Sequence, residues 1–201
     1  LPAAGEGGER WRMRLTKHIV VAALGISCAA ALPAAAATAQ QAPGAASSDS
    51  GGFNGPVITF PPAPPLDFAA GDICAFGIHV TFFDNHVEQR TWSNDAGQPV
   101  FATAVGTLKM RVTNTSTGRS VVANISGNGT YSYPGDGSFI LSGNQFAAFM
   151  HPGDSPPNEL LVIGKNGFAA VRVATVNGTR TKTVLTLKGP HEDLCQTLAA
   201  D

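Results

Sequence analysis

Cys74-Ala75-Phe76-Gly77-Ile78-His79-Val80-Thr81-Phe82-Phe83 sets Phe76, Ile78, Val80 and Phe82 on one parity and Ala75, Gly77, His79 and Thr81 on the other. Side chains alternate across a strand, so a period of two predicts a half-buried β-strand with one apolar face. Leu108, Met110 and Val112 alternate with Lys109, Arg111 and Thr113 in the same way, and Asn114-Thr115-Ser116-Thr117-Gly118 follows as turn chemistry. That order predicts a hairpin returning through Ser120 to Ser126.

The same reading continues toward the C-terminus. Strands are expected at Thr130 to Tyr133, Ser138 to Leu141, Gln145 to Met150, Leu160 to Ile163, Phe168 to Thr175 and Thr181 to Lys188. Between them lie Gly127-Asn128-Gly129, Pro134-Gly135-Asp136-Gly137, Gly143-Asn144, Pro152-Gly153-Asp154, Lys165-Asn166-Gly167 and Asn177-Gly178, residues suited to the positive φ angles of tight turns. Strands joined so briefly are expected to be antiparallel neighbours. The fold class is therefore all-β, an antiparallel meander forming a β-barrel or a β-sandwich. The barrel-like meander is preferred because few long crossing connections are present. Only His191 to Ala200 has a helical pattern, a short C-terminal segment carrying Cys195.

Toward the N-terminus the composition changes. Val57 to Asp67 contains Phe60-Pro61-Pro62-Ala63-Pro64-Pro65, a density of proline that favours an extended arm along the domain edge. Residues 40–56 are Ser, Gly, Ala and Pro with little to bury and read as a disordered linker. Before them, Arg14 and Lys17, the apolar run Ile19 to Leu32, Pro33 and Ala37-Thr38-Ala39 have the order of a secretory signal peptide. Cleavage is expected after Ala39, with residues 1–12 an extension ahead of Met13. The organisation predicted is thus 1–39 extension and signal, 40–56 linker and 57–201 a single β-domain. The run is short for a membrane span, which takes about 20 apolar residues, so no membrane association is expected after signal removal. Gly25 stands where a lipoprotein box wants leucine, so a lipid anchor at Cys28 is not expected either.

The 201 residues hold 13 Lys plus Arg, 14 Asp plus Glu and three cysteines. Loss of residues 1–39 removes Arg10, Arg12, Arg14, Lys17, Glu6, Glu9 and Cys28, leaving nine basic and twelve acidic residues and a net charge of −3. No polybasic face remains to neutralise phosphates, so nucleic acid is not an expected partner. Cys74 and Cys195 remain, in an exported and oxidising setting, where a single disulfide is expected rather than a pair of free thiols.

Several short features recur in a fixed order: the export signal, the Pro-rich arm, Cys74-Ala75-Phe76, the Asn114 to Gly118 turn, Ile125 to Gly127, Gly135 to Phe139, and Asp193-Leu194-Cys195 before Leu198-Ala199. This order resembles small exported β-domain proteins of actinomycete bacteria, over most of residues 57–201. The resemblance implies the fold, export and a Cys74–Cys195 pairing, and supplies no chemistry. The chain departs from the pattern in its longer His151 to Asn158 loop.

Candidates for chemistry are sparse. His79, Asp84 and His86 are residue types that bind zinc or transfer protons, but they straddle a strand and a reversal, and a third ligand such as His151 has to be supposed. No Gly-x-Ser-x-Gly is present, and the domain's carboxylates fall mostly in Gly/Pro/Asn turns. No catalytic set, metal site or cofactor is assigned. Trp92, Tyr131 and Tyr133 are amphipathic aromatics suited to recognition surfaces, with core or rim packing the preferred reading of the three. The chain is therefore read as a non-enzymatic extracellular or cell-surface binding module. One alternative is a small-ligand-binding or catalytic barrel with interior polar groups such as His79 and Arg172. Another is a secreted protease inhibitor presenting Pro152 to Pro157.

Overall fold

The computed structural model describes residues 52–199. The expected signal, Cys28 and residues 40–51 of the linker lie outside the described residues. Fourteen strands form: β1 Asn54–Thr59, β2 Leu66–Phe68, β3 Ile78–Phe83, β4 Glu88–Ser93, β5 Pro99–Val105, β6 Lys109–Asn114, β7 Ser120–Asn124, β8 Asn128–Ser132, β9 Phe139–Gly143, β10 Ala147–Met150, β11 Glu159–Ile163, β12 Phe168–Val176, β13 Thr179–Lys188 and β14 His191–Asp193. One helix follows, α1 Leu194–Ala199.

The strands assemble into three antiparallel sheets, ordered β1-β4-β5-β8-β9-β12-β13, β2-β3-β6-β7 and β10-β11-β14. The large sheet is built from the hairpins β4–β5, β8–β9 and β12–β13, while the intervening hairpins β6–β7 and β10–β11 belong to the other two sheets. The architecture is a sandwich; the described residues close no barrel.

The meander expectation fails at three corners. Gly127, Gly143-Asn144 and Lys165-Asn166-Gly167 do not join paired neighbours: each carries the chain from one sheet to another. The physical reason is close backbone approach. A Cβ on Gly127 would stand 1.9 Å from the Asn144 carbonyl oxygen, and one on Gly143, at φ +155°, would stand 2.1 Å from that of Asn128. Glycine lets the two corners cross in three residues each, where a side chain would demand a longer connection. Gly127→Ala is accordingly expected to cost about 2 kcal/mol, measurable as a lower urea midpoint; an unchanged midpoint would show that the corner relaxes freely.

Burial follows the alternation. Ile78 and Val80 on β3 face Met110 and Val112 on β6 within one apolar layer, closed by Leu66, Phe149, Leu160, Val162, Leu194 and Leu198. On β10 and β11 there is no alternation: Ala148-Phe149-Met150 and Leu160-Leu161-Val162-Ile163 are buried throughout. The small sheet is an inner layer. Phe149, Leu160 and Val162 face the four-stranded sheet, whereas Ala148, Met150 and Leu161 pack on Val171 and Val184 of the large one. A strand buried on both faces reads as a continuous apolar run.

The N-terminal arm edges both outer sheets. β1 pairs with β4, Pro61 to Pro65 crosses between layers, and β2 pairs with β3. β4 and β5 lack a strand signature because their inward positions are Gln89, Thr91, Ala102 and Ala104. The small residues make room for Tyr131, which stands opposite Ala102. At the C-terminus, His191–Asp193 is a strand on β11 rather than the start of the helix. Asp193 Oδ1 accepts from the Cys195 and Leu160 amides, capping α1 while holding β11. The Cys74–Cys195 disulfide is formed, with Cα atoms 5.2 Å apart and a sequence separation of 121.

Candidate functional site

The expected histidine cluster separates into different neighbourhoods. His79 points outward on β3, where its cross-strand partner is Asp67, with Nδ1 2.6 Å from Oδ1. Asp84, in the left-handed region at φ 56°, accepts from Lys109 Nζ at 3.1 Å and lies 3.3 Å from His86 Nδ1. Thr107 ties this turn together, donating to the Asp84 carbonyl and meeting His86 Nδ1 at 3.0 Å. Asp84 and His86 therefore do meet. His79, five residues back along an extended chain rising about 3.3 Å per residue, is remote from them. Among the described residues, no group of three or more His, Cys, Asp or Glu is placed to hold a metal ion.

His151 belongs to a different cluster, with Asp154, expected only as a turn carboxylate, and Lys182, which the sequence reading did not single out. Asp154 is buried, and its carboxylate accepts from the His151 amide at 2.7 Å, the Lys182 amide at 2.7 Å and Lys182 Nζ at 3.1 Å. The Lys182 ammonium also donates to the Phe149 carbonyl at 2.5 Å and lies 2.9 Å from His151 Nδ1. Three ammonium hydrogens and three acceptors match, with His151 neutral and accepting at Nδ1. The His151 ring stands edge-on to Phe68. A signal for Lys182 was available: it occupies the inward parity of β13, opposite Val173.

The electrostatics follow from burial. Burial, and then the Lys182 charge, hold His151 below the usual imidazole range, with Asp154 and Asp72 opposing. Burial pushes the Asp154 carboxyl up, yet the two amide donors and the Lys182 ammonium bring it, on balance, below its ordinary value. Burial also lowers Lys182 despite Asp154. With every ammonium hydrogen engaged, Lys182 is a strut and not a free nucleophile. Ser155, next to this cluster, donates its amide to the Lys182 carbonyl and accepts from the Val184 amide, so the Pro-rich loop is fastened along β13.

The aromatic candidates divide between the two faces of the large sheet. Tyr131 is core, which removes it as a surface candidate and agrees with the packing reading: its parity on β8 is that of Ala102 and Leu141. Burial, then the neighbouring Tyr133, pushes its hydroxyl up to about 12. Tyr133 is half-buried and its hydroxyl is also raised by burial; both rings tilt against Phe139, which carries Arg180 over its face at 5.3 Å. Trp92 points the other way and tilts against Phe101 across the strand pair, with centroids 5.5 Å apart.

The outward face around Trp92 is ordered by register. One row runs Trp92, Phe101, Ser132, Ile140, Arg172, Thr183 and a second Ile58, Arg90, Thr103, Thr130, Ser142, Ala170, Thr186. The charges within these two rows are neutralised locally. Arg90 Nε donates to Glu88 at 2.5 Å, and Arg172 bonds Asp136 and the Ser138 hydroxyl. The Ser138 hydroxyl and amide, and then Arg172, hold Asp136 below the usual carboxylate range.

Arg172 and His79 thus both lie on outer faces, which overturns their reading as interior polar groups of a barrel. A cavity of about 20 Å³ lies behind the large sheet, lined by Leu141, Phe146, Ala147, Val171, Val173 and Lys182. That is room for about one water, against about 300 Å³ or more for a small-molecule site. Comparison with protein-family models, with curated proteins and with solved structures returned no match to this chain.

Proposed function

We propose that the chain is an exported, non-enzymatic binding module that meets its partner at or outside the cell surface through the outer face of the seven-stranded sheet. The observation that carries this reading is the pair of cross-strand rows on that face, in which Trp92 and Phe101 stand beside Ser and Thr hydroxyls while the charges pair with one another. Two rows that are neutral and hydroxyl-bearing, with one aromatic pair, suit an extended uncharged partner: aromatic surface supplies desolvation and the hydroxyls supply directional bonds. The disulfide fits an oxidising compartment, and no described helix is long and apolar enough to cross a membrane.

The experiment is co-sedimentation of the purified chain with cell-envelope and extracellular polysaccharide preparations. Trp92→Ala combined with Phe101→Ala is expected to weaken retention at least tenfold, the loss of about 1.4 kcal/mol or more, without moving the thermal midpoint. Trp92 is the one tryptophan of the described residues, so its fluorescence reports the same event. Retention unchanged in the double variant would sink the proposal.

A further inference from the structure

The two edges of the seven-stranded sheet are treated differently. On β13 the Lys182 carbonyl and the Val184 amide are taken up by Ser155. On β1 every residue is exposed and no described segment covers the outer side. Phe53, Val57, Ile58 and Phe60, at 71%, 62%, 51% and 72% exposure, are concentrated on this edge, whereas the remaining exposed large apolar residues are distributed over several strands. An uncovered apolar edge strand is a template for pairing with another chain. The guards found on other edges are thin here. Pro56 and the register shift after Asn54 protect the first half of β1, but Val57–Thr59 has neither a charge nor a bulge.

We propose that β1 pairs antiparallel with β1 of a second copy of this chain, joining two seven-stranded sheets edge to edge about a twofold axis. Two observations select a second copy over another partner. From Phe53 to Leu66 the chain carries no charged side chain, so the edge neither repels its own copy nor offers a charge for a different partner to read. The extent of the patch also fits: a phenylalanine carries roughly 200 Å² of surface, so the four residues present on the order of 500 Å² per copy. Edge pairing can cover at most this surface, so two copies bury no more than about 1,000 Å², below the range of stable specific interfaces, which fits a weak, reversible dimer. A twofold perpendicular to the sheet keeps the same face on the same side, so the Ile58 rows of the two copies run on into each other. This inference does not depend on the binding face proposed above.

Sedimentation velocity on the whole purified chain, from 1 to 300 µM, tests it. A concentration-dependent monomer–dimer exchange is expected, weakened at least tenfold by Ile58→Lys and by Val57→Lys. Both positions are more than half exposed, so folding survives, which far-UV circular dichroism checks. Val122→Lys, at an equally exposed position on β7, is expected to leave the exchange unchanged. A chain that stays monomeric throughout overturns the proposal, as does equal weakening by the β1 and β7 variants. Capture of a different protein through β1 without self-association overturns it as well.

Discussion

Replacing Cys74 and Cys195 together by alanine is expected to lower the unfolding free energy by about 3–5 kcal/mol, the loss found for long disulfide-closed loops, and the thermal midpoint by roughly 10 °C. The bond closes a loop of 121 residues that contains most of the described chain, so the unfolded ensemble gains much freedom when it is cut. The folded state suffers too, because both cysteines sit in the apolar layer between the four-stranded sheet and α1. Besides the buried Leu194 and Leu198, α1 is tied by the Leu198 carbonyl accepting from Asn114 Nδ2 and by Asp193 capping its first turn. Urea titration of the oxidised chain, the chain in reductant and the double variant measures the effect. Coincident transitions in oxidised and reduced protein would show that the staple adds nothing. Alkylation mapping adds a direct check, since neither cysteine of the native protein is expected to react.

The second large effect is expected at Asp154. Asp154→Ala removes one acceptor group from three donors and leaves a mostly buried ammonium without its counter-charge, for an expected loss of about 3–5 kcal/mol. Lys182→Met on the Asp154→Ala background is expected to recover part of that loss, because the methionine stem fills the same space and asks for no partner; additive losses would argue against the pairing.

Acid should act on the same cluster. His151 is held below its ordinary value, so between that lowered value and about pH 6.5 the unfolded chain binds the extra proton and stability falls with falling pH. Asp154 is also lowered; its contribution is complete above about pH 4 and is lost as pH falls through the folded value. Stability measured from pH 8 to pH 3 should therefore decline in two stages, the upper absent in His151→Gln and the lower in Asp154→Ala. A curve flat from pH 7 to pH 5 in the parent chain contradicts the assignment to His151.

Where alternation is strong, the strands are legible. Ile78–Phe83 and Lys109–Asn114 set apolar against polar residues, and the Asn114 side chain forms the turn expected after them by accepting from the Ser116 and Thr117 amides. β4 and β5 escape because the large sheet keeps small or polar residues inward there, so the contrast that marks a strand is missing. The aromatic pair of the candidate face was half legible. Trp92 stands out as an amphipathic ring, but that it meets Phe101 depends on a pairing invisible where no strand was expected. Tyr131 and Tyr133 share a parity and both meet Phe139, yet Tyr131, inside β8 opposite Ala102 and Leu141, is buried, whereas Tyr133, one residue past the strand, is half-buried.

By itself the sequence determines that this chain is a sheet protein with turns of Gly and Asn and a cysteine at each end of its domain, because a period of two and positive-φ residues are local properties of the chain. Which turns close hairpins and which change sheets is decided only in the tertiary structure. Asn177-Gly178 and Gly143-Asn144 are the same two residue types, but the first, with φ of 51° and 77°, returns the chain to its neighbour, and the second, with Gly143 at φ 155°, delivers it to an inner layer that receives Phe146 to Met150. Likewise Lys182 and Asp154, 28 residues apart, become partners only because Ser155 is fastened along β13. Long-range packing chooses between directions that residue type alone does not distinguish.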